Sequence, residues 1–147
     1  MHRTVIDFTQ AQLEAAIRAG EFSFHKVGQV IRVLNDTNSL VTLTEDKGEI
    51  FQDNQTIRVI DQIANDIATL FTTKYLGVIP NDASGRISLW ADIVKHHEEL
   101  AKIRAIEGFS EDDITVDQGE SKKSVVVGDA VTVVNAMTQL YMAVKVA

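Results

Sequence analysis

The 147-residue sequence has no cysteine, which removes disulfide frameworks, Cys-based zinc sites and thiol catalysis together. It has no excess of basic residues: 14 Lys and Arg stand among 21 Asp and Glu, for a formal net charge of −7. Neutralising a phosphate backbone needs clustered cations, so nucleic-acid binding is disfavoured. No window approaches 18 consecutive apolar residues, and nothing in the sequence is long and apolar enough for a membrane-spanning helix. Met1-His2-Arg3 lacks the apolar stretch of a secretion signal. On these absences the expected compartment is the cytoplasm. Glycine-rich phosphate loops are missing too, because Gly77 and Gly85 are isolated and neither is followed by Lys-Ser/Thr.

What is present is an ordinary globular composition. The apolar fraction of 45% against 24% charged supplies one core and argues against disorder. The length suits one domain over residues 1–147.

Local patterns give the elements. Thr9-Gln10-Ala11-Gln12 has the form of a capping box, Leu13, Ala16 and Ile17 make one apolar face, and Gly20 follows; this predicts a helix over about residues 10–19. Residues 21–26 alternate, with Phe22 and Phe24 on one side and Ser23 and His25 on the other. Residues 30–34 are β-branched around Arg32, and Val27-Gly28-Gln29 joins the two as a hairpin. Residues 35–49 read as an extended loop in which only residues 40–43 look strand-like.

After the Asp53-Asn54 cap signal, Ile57, Ile60, Ile63, Ala64, Ile67, Leu70 and Phe71 recur at helical spacing until Gly77 and Pro80 close the run. A second long helix is predicted over about residues 86–105. Ser84 is its expected cap, and Ile87, Trp90, Ala91, Val94, Ala101 and Ile103 make the buried stripe. Lys95, Glu98, Glu99 and Lys102 lie on the outer face, with Glu98 and Lys102 an i,i+4 pair. Beyond Ile106 the period becomes two: a strand at residues 114–116, a polar turn over 117–123, and a longer strand over 124–134 with Gly128 as a candidate bulge. The expected fold is α+β, two long helices packed on a small antiparallel sheet, with an N-terminal helix and hairpin and a C-terminal strand.

No constellation carries chemistry. In His96-His97-Glu98-Glu99 the adjacent histidines point about 100° apart on a helix and cannot share an ion. Asp92 and His96 are correctly spaced, but two ligands do not make a site, so both histidines are read as part of an exposed helix face. Asp112-Asp113, with Glu111 and Asp117, lacks calcium-loop register. Ser84 lacks the flanking glycine and strand of a nucleophile elbow. The expectation is a non-enzyme with no metal, cofactor or small-molecule ligand.

The remaining feature is the strand predicted over residues 139–146. Leu140, Met142, Val144 and Val146 fall on one side and Tyr141, Ala143 and Lys145 on the other. Charge, proline or brevity normally blunts an exposed edge, and this one has little of any. Spacing alone leaves two readings open: pairing inside its own sheet beside residues 124–134, or addition to a neighbouring subunit.

Several segments carry a family likeness. They begin with Ala16-Ile17-Arg18-Ala19-Gly20-Glu21-Phe22, Val30-Ile31-Arg32-Val33-Leu34 and the loop at residues 38–48. Ile57-Arg58-Val59-Ile60-Asp61-Gln62-Ile63-Ala64-Asn65-Asp66-Ile67 follows, then Tyr75-Leu76-Gly77, Pro80-Asn81 and Gly85-Arg86. The last are Ser124-Val125-Val126-Val127 and Ala136-Met137-Thr138-Gln139-Leu140-Tyr141-Met142. In this order and spacing the chain resembles the C-terminal part of contractile phage tail sheath proteins, including the defective-prophage sheaths of Gram-positive bacteria.

The resemblance implies a structural subunit that packs helically around a tail tube and takes part in contraction. Its partners would be neighbouring sheath subunits and the tube protein, without nucleic acid or membrane. Subunits would assemble in the host cytoplasm and end in a phage or phage-like tail. Chain-terminal arms in that family add strands to a neighbour's sheet; carried over, residues 139–147 would be a linking arm, with Leu140, Tyr141, Met142, Ala143, Val144, Lys145 and Val146 as the inter-subunit strand. The helix bearing Lys95, Glu98, Glu99 and Lys102 would face the tube. Sheath subunits run to several hundred residues, so this chain is expected to be a fragment. The alternative is a stand-alone tail or baseplate adaptor or oligomeric binding domain; an enzyme with a site between subunits would have only Asp92 and His96 to rest on.

Overall fold

Thr9 closes a capping box with Gln12: its hydroxyl accepts from the Gln12 amide, and the Gln12 side chain accepts from the Thr9 amide at 2.9 Å. Helix α1, Gln10–Arg18, follows, and Gly20 takes the left-handed conformation (φ +69°) after its end. These features come from a computed structural model that describes residues 8–146. The chain divides into two compact units. Arg58–Val134 forms one; the residues up to Ile57, with those from Asn135, form the other.

In the second of these, α1 precedes a hairpin of β1 (Ser23–Val27) and β2 (Val30–Asn35), turned at Gly28 with φ +61°. The register places Phe24 opposite Val33 and Lys26 opposite Ile31. One face therefore carries Phe22, Phe24, Ile31 and Val33, all exposed, with the two phenyl rings edge to face. Residues 40–43 are not a strand. This loop is held by side chains instead: the Asn38 amide donates to the Phe51 carbonyl at 2.7 Å and the Gln52 amide to the Leu40 carbonyl at 2.9 Å. A single antiparallel bridge joins Thr37 and Asp53.

Helix α2, Asn54–Leu70, runs on through a π turn, Phe71–Tyr75, to make 22 helical residues. The widened turn coincides with two threonines whose hydroxyls donate back to the chain, Thr72 to Ala68 and Thr73 to Thr69, both at 2.7 Å. Such back-bonding competes with the helical ladder and bends it. Helix α3 spans Ala83–Lys102, three residues earlier than the pattern predicts. Its cap is Asp82, which accepts from the Gly85 amide at 2.7 Å, and not Ser84. A β-carbon on Gly85 would stand 2.0 Å from the Pro80 carbonyl, so only glycine fits there.

The buried stripe of α3 is Leu89, Ile93, Val94 and His97. Ile87, Ala91 and Ile103, expected inside, are exposed. The correction is a rotation of the stripe by about one residue, 100° around the axis. Tyr75, Leu89, Ile93, Val94 and Ile114 form one buried cluster; Val59, Ile63, Ile106 and Val133 form another.

In place of one sheet, the described residues form three separate two-stranded antiparallel ladders. Strand β4 (Ile114–Gln118) pairs with β5 (Val125–Asp129), and β3 (Ile106–Glu107) pairs with β6 (Thr132–Val133). The long strand expected over residues 124–134 is thus two strands with two different partners. Gly128 makes no bulge. It sits in register opposite Thr115, where a β-carbon would come 2.5 Å from the threonine hydroxyl. The fold is α+β, with the N-terminal helix and hairpin in place.

Candidate functional site

The segment expected to be the last strand forms no strand within the described chain. Residues 136–146 carry no ladder and no backbone hydrogen bond to any described residue. Leu140 is 84% exposed and Val146 is 96% exposed, and Tyr141, Met142 and Val144 stand in solvent with them. Apolar alternation specifies which side chains would share a face; a strand also needs a partner edge. Pairing beside residues 124–134, the intramolecular reading, does not occur: β5 faces β4, and β6 faces β3.

The root of the segment is tethered within its own unit. The Asn135 amide donates to the Asp53 carboxylate at 3.2 Å. Burial, and then the nearby Asp36 and Glu49 carboxylates, raise the Asp53 pKa above the ordinary value. Thr138 and Gln139 line an open groove of about 500 Å³ together with Leu13 and Ile17 of α1 and His25 and Leu34 of the hairpin.

On α3 the four residues expected to make an outer face, Lys95, Glu98, Glu99 and Lys102, are all exposed. Lys102 pairs with Glu99 at 2.7 Å, an i,i+3 contact, in place of the expected pair with Glu98. This pair holds the Glu99 carboxyl below its usual range and the Lys102 amine above.

The two histidines part company. His96 is half-buried, and its Nε2 meets the Asp66 carboxylate of α2 at 2.9 Å, a bond that lowers the Asp66 pKa. His97 is 0% exposed, a correction to the exposed face expected for it. Asp92 turns to the π turn, accepting from Lys74 and from the Tyr75 hydroxyl, each at 2.5 Å. Burial opposes the Asp92 charge, yet these two donors keep its carboxyl below the usual range. Burial, and then Asp92, push the Tyr75 hydroxyl well above its own. Asp92 and His96 thus have different partners, and no group of three potential metal ligands exists among the described residues.

Residues 46–147 match the family model described as the phage tail sheath C-terminal domain. The chain belongs to the phage tail sheath family. It is 32% identical over 104 residues to the tail sheath protein of Clostridium phage phiCD119, covering 71% of this chain and 29% of that protein. It is 31% identical over 132 residues to the phage-like element PBSX protein XkdK of Bacillus subtilis, covering 85% and 28%. Among solved structures, the sheath tail protein of Desulfitobacterium hafniense superimposes with a TM-score of 0.77 at 34% identity, over 88% of this chain and 30% of that one. The sheath tail protein of Listeria innocua gives 0.75 at 26%, over 88% and 31%. The chain therefore spans under a third of the length of these relatives. The family is one of structural proteins, not enzymes.

One feature that sequence reading missed is the bare apolar face of the hairpin. Its signal was available: Phe22, Phe24, Ile31 and Val33 share a face by alternation, while the other face mixes Val27, Val30 and Leu34 with Ser23, His25 and Arg32. A two-stranded ribbon cannot cover such a face by itself.

Proposed function

We propose that this chain is the inner, C-terminal part of a contractile tail sheath subunit that polymerises helically around a tail tube, and that residues 140–146 are its donated strand. The observation that carries the reading is the row of apolar side chains from Leu140 to Val146 standing in solvent without a ladder. Such a segment leaves apolar area and a line of amides and carbonyls available together. Addition to another chain's sheet edge takes up both, main-chain bonds giving affinity and alternate side chains selectivity.

The β1–β2 ribbon of a neighbouring subunit is the recipient that best fits. Among the described residues it is two-stranded, with no third strand on either edge, and two-stranded ribbons are marginal alone. An added strand would lay Leu140, Met142, Val144 and Val146 on one face, beside Phe22, Phe24, Ile31 and Val33. The strand bonds would hold subunits together while the rest of the array repacks, so contraction needs no cofactor. The exposed row Lys95, Glu98, Glu99 and Lys102 of α3 is the proposed tube-facing surface. Assembly would take place in the host cytoplasm, and the product would be the sheath of a phage or phage-like tail.

Deletion of residues 140–147 tests the arm. The expected product keeps its thermal midpoint but sediments as a monomer across a concentration series in which the intact chain associates. Association unchanged by the deletion would overturn the donated-strand reading.

A further inference from the structure

His97 lies in the C-terminal half of α3 with both ring nitrogens against oxygen. Nδ1 is 3.0 Å from the Ile93 carbonyl one turn earlier, and Nε2 is 3.2 Å from the Asp129 carboxylate at the end of β5. A carbonyl and a carboxylate only accept hydrogen bonds. A neutral imidazole has one bare nitrogen, and in either tautomer that nitrogen would face an oxygen lone pair. With Nδ1 donating to the Ile93 carbonyl at 3.0 Å, Nε2 repels Asp129 unless it is protonated as well. The Nε2 approach is too oblique to count as a full hydrogen bond, so charge and not directionality draws the two together.

We propose that His97 is held as an imidazolium in the folded domain and acts as a proton-dependent clamp fastening the end of β5 to α3. This goes beyond the assembly reading and stands independently of it. The surroundings admit one counter-charge at Nε2. From β5 it is Asp129. From α3 itself, the His96 ring lies 5.3 Å away, edge to face, with its own Nε2 on Asp66 of α2. The segment after β3 contributes Phe109, uncharged, 5.2 Å from the ring. Asp113, whose carbonyl bonds the amide next to Asp129, turns its carboxylate to the Ser110 amide. Burial opposes the charge, but the Asp129 carboxylate and the Ile93 carbonyl outweigh it and raise the His97 pKa.

The sign of the linkage follows. With the folded value above the unfolded one, the stabilisation is fully present below the ordinary histidine range of about 6.5 and is lost as pH rises through the folded value. Each unit of elevation multiplies the folding constant roughly tenfold on the acid side. Raising the pH would loosen Asp129 from α3, and with it the β5–β6 corner.

The test is a long-range ¹⁵N–¹H correlation of the imidazole nitrogens in the ¹⁵N-labelled, unmutated chain, followed through a pH titration. Two protonated nitrogens on His97 at neutral pH, with a titration midpoint above that of an unstructured histidine, is the expected result. A single neutral tautomer at neutral pH would overturn the clamp. Asp129→Asn is expected to lower the midpoint, and an unmoved midpoint would also overturn it. His97→Gln is expected to abolish the fall of the urea midpoint between mildly acid and mildly alkaline pH. A fall of the same size in that variant would assign the pH dependence elsewhere and reject the proposal; if neither variant folds, the titration of the unmutated chain decides.

Discussion

Residues 58–134 and the remainder of the described chain handle their apolar side chains in opposite ways. In the first, Ile93, Leu89, Ile106 and Ile114 are sealed between helices and short ladders, although Leu76, Val78, Ile87 and Ile103 remain exposed. In the second, Leu13 is the one large apolar side chain classed as buried, while Phe22, Phe24, Ile31, Val33, Leu140, Met142 and Val144 lie in solvent. Both regions have enough hydrophobic residues to build a core. The difference is that one spends them on itself, and the other arrays them along a hairpin face and an extended terminal segment, where no described residue covers them.

The comparison is sharpest in core truncations. Ile93→Ala should cost about 2–5 kcal/mol in urea unfolding, because Ile93 is 0% exposed and the cluster around it cannot collapse fully into the cavity. Ile31→Ala in the hairpin should stay within about 0.5 kcal/mol. Equal losses at the two sites would remove the distinction between the regions.

Glycine replacements draw the same line with a smaller effect. Gly85→Ala should cost about 1–3 kcal/mol, since its β-carbon meets the Pro80 carbonyl and the backbone must shift. Gly48→Ala, at negative φ with open space around it, should be near neutral. Smaller again is the pair of tyrosines. Tyr75→Phe removes a bond to the Asp92 carboxylate, which keeps Lys74, and should cost about 1 kcal/mol; Tyr141→Phe loses only an exposed contact to Gln139 and should leave the melting midpoint unchanged. The least effect on folding is expected from Met142→Asp, no shift in thermal midpoint at all, together with loss of association in sedimentation. A drop in midpoint there would mean that the arm is part of its own fold.

Local chemistry made much of this legible in advance. The Thr9–Gln12 cap, the Gly28 turn and the α2 periodicity each depend on neighbours in sequence, and each stands in the structure. Boundaries and faces that depend on distant partners did not read through. Asp82 wins the α3 cap over Ser84 because its carboxylate reaches the Gly85 amide. The buried stripe of α3 is set by which side meets β4 and α2, and that turned His97 inward against Asp129. The β3–β6 ladder joins residues too far apart in sequence, and too few on each side, for any alternation to show. The terminal segment alternates as a strand would, yet it forms none among the described residues, because alternation does not supply a partner edge.

The donated strand is the centre of this account, and amide hydrogen exchange over residues 139–146 tests it most directly. In the dilute, unassembled chain these amides should exchange at the rate of an unstructured peptide, and on assembly alternate amides should become strongly protected, together with an edge of β1 or β2. Protection already complete in the dilute chain, or exchange that stays fast in the assembled sheath, would contradict it.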